Sequence, residues 1–223
     1  MTRTTNAKIA GFTFLFYIAV AFPAMVLLDR AARGDGIAAK LAGIAQHATD
    51  VRVAILLSLL GCFSALVLAV TLYAVTRDQD PDLAMLGLTC RVAEGVMSAV
   101  SVTSTVGLLW LATAAGPNVP DGAGAQTLGA FLLAPIPTFG AIFFALGSTC
   151  FSWLLLRGRM IPVALAWVGV IASVLLVVGL PLQLAGFLGG QITQFMWLPM
   201  LAFEVPLGLW LLIKGVAAPR ASA

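Results

Sequence analysis

Apolar positions in this chain neither alternate nor recur in narrow stripes; they come in long blocks, parted by short clusters of charge, glycine and proline. Six blocks reach the roughly 20 apolar residues that a helix needs to cross a bilayer's hydrocarbon core. They are Ile9–Leu28, Val53–Val75, Leu83–Ala115, Ala130–Leu156, Val163–Phe187 and Ile192–Ile213. The last two come from one charge-free run, Met160–Phe203, which Gly186, Gly189, Gly190 and Gln191 divide with a turn. A membrane barrel would instead show short alternating segments. The pattern predicts an all-α polytopic membrane protein: one domain over residues 1–223, a bundle of six transmembrane helices.

The connectors refine this picture. Most are short, so consecutive helices should be antiparallel neighbours. The stretch Asp29–Arg52 is longer: Asp35 is placed to cap a helix, and Ile37, Leu41, Ile44 and Ala48 follow at helical spacing. A short interfacial helix between the first two spans is expected there, on the membrane surface or over the mouth of the bundle. His47, the one histidine, falls in it and reads as part of a solvated polar face. Gly116–Gly129, with Pro117, Asn118, Pro120, Asp121, Gly122 and Gly124, reads as an irregular loop. Thr76–Asp82 holds three aspartates but lacks the glycine and later glutamate of an EF-hand loop, so it reads as a solvated turn. Pro23, Pro135, Pro137, Pro181, Pro199 and Pro206 are placed to kink or break spans. Gly186 and Gly190 form a small-xxx-small pair suited to close helix contact.

Composition supports the same class. Only 9% of the 223 residues are charged and 61% are hydrophobic, with a mean hydropathy of +1.06. A soluble domain carries about 25% charged residues to cover its surface. The first block begins after Arg3 and Lys8 but is longer than the usual signal-peptide core, so a retained helix is expected. Arg3, Lys8, Arg77, Arg157, Arg159, Lys214 and Arg220 fall on one side, against Arg30, Arg33, Lys40 and Arg52 on the other. The positive-inside rule then puts both termini in the cytoplasm. The net charge of +3 follows from that topology and points to no nucleic-acid partner.

Three ionisable acid or base side chains fall deep inside the blocks: Arg91 and Glu94 in the third, Glu204 in the sixth. Such residues cost about 2.5–3.5 kcal/mol each at mid-membrane on insertion scales, so they should face the bundle interior and pair. Arg91, Glu94, Ser98, Ser101 and Thr105 share one helical face, within an arc of roughly 80°. Counted from the cytoplasmic edge at about 1.5 Å per residue, Arg91, Glu94 and Glu204 occupy one layer. An Arg91–Glu94–Glu204 cluster linking the third and sixth helices is therefore expected. Its two carboxylates and one guanidinium leave one excess negative charge, which a shared proton or a bound cation can balance. Ser98, Ser101, Thr105 and Trp197 are candidate pocket-lining residues beside it.

Catalytic motifs are absent. Cys62, Cys90 and Cys150 form no C-x-x-C pair and read as small buried apolar residues. There is no H-E-x-x-H, G-x-S-x-G, Walker or dinucleotide fingerprint, and the membrane serines have no histidine base. No catalytic residue, metal site or cofactor is expected. Trp153, Trp167, Trp197 and Trp210 sit near span ends as interfacial anchors.

Several short patterns recur in order along the chain: Ile9-Ala10-Gly11, Gly34-Asp35 and Arg91-Val92-Ala93-Glu94. Met160-Ile161-Pro162 follows, then Glu204 with Gly208-Leu209-Trp210-Leu211-Leu212-Ile213-Lys214-Gly215. In these the chain resembles a bacterial multi-pass membrane family, domain of unknown function 4386. The resemblance implies six helices in a bacterial cytoplasmic membrane and supplies no activity, substrate or catalytic residue. Three functional readings remain open. The first is a non-enzymatic membrane protein, a partner or sensor subunit whose ionic cluster fixes helix packing. The second is a small transporter or binder of an apolar or cationic molecule; the third is an intramembrane enzyme or a membrane subunit of one.

Overall fold

The computed structural model describes residues 1–115, 120–134 and 139–217. Among them the regular structure is entirely helical: α1 (Arg3–Ala31), α2 (Ile37–Gln46), α3 (Ala48–Thr76), α4 (Pro81–Thr113), α5 (Gly122–Leu132), α6 (Phe139–Arg157), α7 (Val163–Leu184), α8 (Ile192–Phe195) and α9 (Leu198–Ile213). Among the described residues six segments are long and apolar enough to cross a membrane: α1, α3, α4, α6, α7 and the α8–α9 stretch. Helix is the form such blocks take because it satisfies every backbone N–H and C=O within the segment where lipid offers no partner. α4, with 33 residues, rises about 50 Å, well beyond a hydrocarbon core of about 30 Å.

The distribution of polar groups is the reverse of a water-soluble protein. Phe63, Ile171 and Ile213 are 60%, 63% and 69% exposed, while Arg91 and Glu94 are 1% and 2% exposed. Lipid is the solvent in which that arrangement is stable. The chain is a multi-pass membrane protein.

Two compact units are formed. The first comprises Met1–Tyr17, Cys62–Met97 and Pro137–Ala223; the second comprises Ile18–Gly61 and Ser98–Ile136. The core of the first includes Leu68, Leu72, Phe151, Leu154, Leu176 and Leu207. One end of this unit is tied by polar contacts. Nη2 of Arg3 donates to the Val75 carbonyl at 2.7 Å and to the Met160 sulfur at 3.2 Å, and the Ala217 amide donates to the Met160 carbonyl at 3.0 Å. Asp80 caps α4 by accepting from the Leu83 amide at 3.1 Å, with Pro81 at the first helical position, and pairs with Arg157 at 3.3 Å. The starts of α1 and α4 and the ends of α3, α6 and α9 thus share that end.

The second unit is built around Ala31, Ile44, Val51 and Leu108. Its short helices α2 and α5 pack at Gly129, where a β-carbon would lie 3.0 Å from Ile37 and 3.2 Å from Leu41.

Several sequence expectations are corrected. The fourth block, Ala130–Leu156, a single span with a break in it on the sequence, is two helices: α5 ends at Leu132 and α6 begins at Phe139, and α6 alone is long enough to cross a membrane. Residues 122–129, expected in a loop, are helical because the Asp121 carboxylate caps α5 at the Gly124 amide, 2.7 Å away, and Gly129 opens the surface that α2 covers. Pro117, Asn118, Pro135, Pro137 and Arg220 lie outside the described residues. α2 is capped at Gly36, whose φ of 83° suits glycine, and not by the side chain of Asp35. Pro199 begins α9 rather than breaking a helix. Pro23, Pro181 and Pro206 do lie inside helices. Gly186 and Gly190 are turn residues with φ of 82° and 68°; a β-carbon at either would meet nothing within 4 Å, so their spacing reflects a turn and not a helix contact.

Candidate functional site

α4 carries Arg91 and Glu94 three residues apart, so their side chains leave neighbouring points on one face. Nη1 of Arg91 lies 3.0 Å from Oε2 of Glu94. The distance is short but the alignment is poor: no guanidinium nitrogen, and not Glu94 Oε2, has a well-directed hydrogen bond among the described residues. The contact is a close Coulombic pair rather than a bidentate fork.

α6 shapes the rest of the guanidinium's surroundings. A β-carbon at Gly147 would lie 2.9 Å from Cγ and 3.0 Å from Cδ of Arg91, so this glycine lets α6 close on the arginine stem. One turn earlier the ring of Phe144 faces the guanidinium, 4.9 Å from Cζ, a cation–π contact. Phe144 in turn leans on Trp197, with ring centroids 5.9 Å apart. One and two turns beyond Phe144, Ser148 and Ser152 join Arg91, Phe151, Phe203 and Leu207 around a cavity of about 10 Å³.

Glu204 enters from α9. It is buried and feels the charges of Arg91 and Glu94, but among the described residues the ion pair that Arg91 makes within 4.0 Å is with Glu94 alone. Tyr17 on α1 is within reach of all three, and of Cys62 on α3. Trp197 touches Phe144 and does not line the cavity beside Arg91. Ser98, Ser101 and Thr105 belong to the second unit, where each is half-buried along α4.

Phe144, Ser148, Ser152 and Tyr17 were not singled out in the sequence. The α6 residues carry a readable mark, a ridge of polar or aromatic residues spaced by four, with Gly147 beside it. Tyr17 carries none, being one aromatic residue in an apolar block.

The remaining polar residues form ordinary contacts. His47 Nδ1 lies 3.4 Å from Asp50 Oδ2, both about one-third exposed. Cys62, Cys90 and Cys150 are free thiols. Among the described residues, no three His, Cys, Asp or Glu side chains converge as metal ligands would.

A family model described as "Domain of unknown function (DUF4386)" matches residues 9–215. The chain belongs to that family. No curated protein and no solved structure matches it. The DUF4386 match takes in Arg91, Glu94 and Glu204, and both helices that meet at Gly11 and Gly208, where a β-carbon on Gly11 would lie 2.6 Å from the Gly208 carbonyl oxygen.

Proposed function

We propose that this chain is a non-enzymatic protein of the bacterial cytoplasmic membrane, a partner or sensor subunit in which Arg91 holds Glu94 and Glu204 together and so fixes the packing of α4 and α9. The observation that carries this reading is the closure around the guanidinium. Arg91 is 1% exposed, with Glu94 at one nitrogen, Phe144 on its face and Gly147 along its stem. The adjoining space of about 10 Å³ holds about one water and no organic substrate. Both termini are assigned to the cytoplasm. Arg3, Arg77 and Arg157 collect at the tied end of the first unit, which supports that side as the positive one.

Glu204→Gln tests the reading. A structural acid predicts a lower unfolding temperature in mild detergent, by the equivalent of about 1–3 kcal/mol. An unchanged unfolding temperature, with a small molecule retained by the wild type and lost by the variant in native mass spectrometry, would overturn it.

A second reading, a small transporter or binder of an apolar or cationic molecule, draws support from the discontinuous last span. α8 and α9 are parted at Met196–Trp197, and Pro206 lies inside α9 two residues past Glu204; broken helices of this kind frame substrate sites in transporters.

A further inference from the structure

The guanidinium of Arg91 has five N–H donors. Glu94 approaches one nitrogen without a well-directed bond, and Phe144 covers one face. Arg91 also lines the cavity that Ser148 and Ser152 line from α6, with Phe14, Phe151, Phe203 and Leu207 as apolar walls. Ser152 is 1% exposed and Ser148 8%. Gly169 on α7 lets this arrangement close: a β-carbon there would lie 2.5 Å from the Phe203 ring and 2.8 Å from the Ser152 hydroxyl.

We propose that this cavity is a binding site for a single internal water, which accepts from the Arg91 guanidinium and bonds to the hydroxyls of Ser148 and Ser152. Size and charge both select water. One water needs about 10–15 Å³, and the cavity has about 10 Å³. A cation would meet a guanidinium edge. An anion would join a layer that already holds two carboxyl groups for one fixed positive charge. Water alone both accepts from Arg91 and donates to a serine oxygen at no charge cost, and a buried donor left unpaired is expensive. The bridge couples α4 to α6, a link that the acid pair does not provide. It rests on the closed-cluster reading, since a cavity open to bulk solvent would exchange its contents freely.

Radiolytic hydroxyl-radical footprinting of the full chain in lipid nanodiscs tests the site, because radicals form from water held next to buried side chains. Phe151 and Phe203 should be oxidised several-fold faster than Phe144, a core ring of similar burial that does not border the cavity. Ser152→Val fills the space and should bring Phe151 and Phe203 down to the core rate; Ser148→Val provides the same test should the first variant fail to fold. Equal rates in the wild type, or labelling that both valines leave unchanged, would overturn the water site. Wild-type labelling suppressed by added nitrate or chloride would also overturn it, in favour of an anion site. The closed-cluster reading fails separately, by an unchanged unfolding temperature in Glu204→Gln with a small molecule lost from that variant.

Discussion

Gly11 of α1 and Gly208 of α9 meet backbone to backbone. A β-carbon on Gly11 would lie 2.6 Å from the Gly208 carbonyl oxygen and 2.5 Å from the Leu212 amide nitrogen. No side chain can give way there, because the atoms opposite are main chain. Lipid provides no hydrophobic force between helices, so close van der Waals contact at small residues is what joins them.

Gly11→Ala should therefore push α1 from α9 and cost about 1–3 kcal/mol. Thermal unfolding in detergent should show the loss, and Gly11→Ser should be no better than alanine. By contrast Gly186→Ala tests a turn, so its cost should come from the positive φ alone, about 1 kcal/mol.

Gly147→Ala should act on the ion pair from outside it. The new methyl would press on the stem of Arg91 at Cγ and Cδ, so the guanidinium must shift relative to Glu94. We expect a loss of about 1–3 kcal/mol, much of it absent when Arg91 is already alanine, which has neither Cγ nor Cδ. A cycle of the two single variants and the double, followed by thermal unfolding, measures that difference.

Arg91→Met removes the cation and leaves Glu94, whose side chain is 3% exposed, without its partner. Breaking a buried pair from one side costs about 3–5 kcal/mol. Adding Glu94→Gln to that variant should recover part of the loss, because the stranded acid is then gone. A double variant less stable than Arg91→Met would contradict the pairing.

At the tied end, Asp80 has two roles of different weight. As the cap of α4 it should be worth about 1 kcal/mol. Its pair with Arg157, with side chains 32% and 44% exposed, should be worth at most about 1 kcal/mol and weaken with salt. Asp80→Asn, which keeps the cap, should match Arg157→Ala in stability, and Asp80→Ala should fall below both.

Much of the fold was legible because it depends on long-range composition. Blocks of 20 or more apolar residues specify membrane helices almost irrespective of detail, and the glycine-rich break after Leu184 was plain. The part that was not legible depends on local competition. Asp121 outweighed Gly122 and Gly124 because one well-placed carboxylate caps the helix, which Gly129 then lets pack on α2. Gly36 displaced Asp35 as the cap of α2 because the chain enters that helix at positive φ. Within the site, Arg91, Glu94 and Glu204 stood out since charge inside an apolar block is costly. Gly147, Ser148 and Ser152 did not, because small residues gain meaning only when the helix opposite them is known. Gly11 and Gly208 lay in patterns shared with the family, but only the packing of α1 on α9 gives those patterns a physical reason.

The claim on which the functional reading depends is that one guanidinium holds acids from α4 and α9. A double-mutant cycle between Arg91 and Glu204 measures this most directly, using the unfolding free energies of Arg91→Met, Glu204→Gln and the double variant in the same detergent. We expect a coupling of at least about 1 kcal/mol, in the range of charged residues that share one network. Losses that simply add, with no coupling beyond experimental error, would contradict the claim.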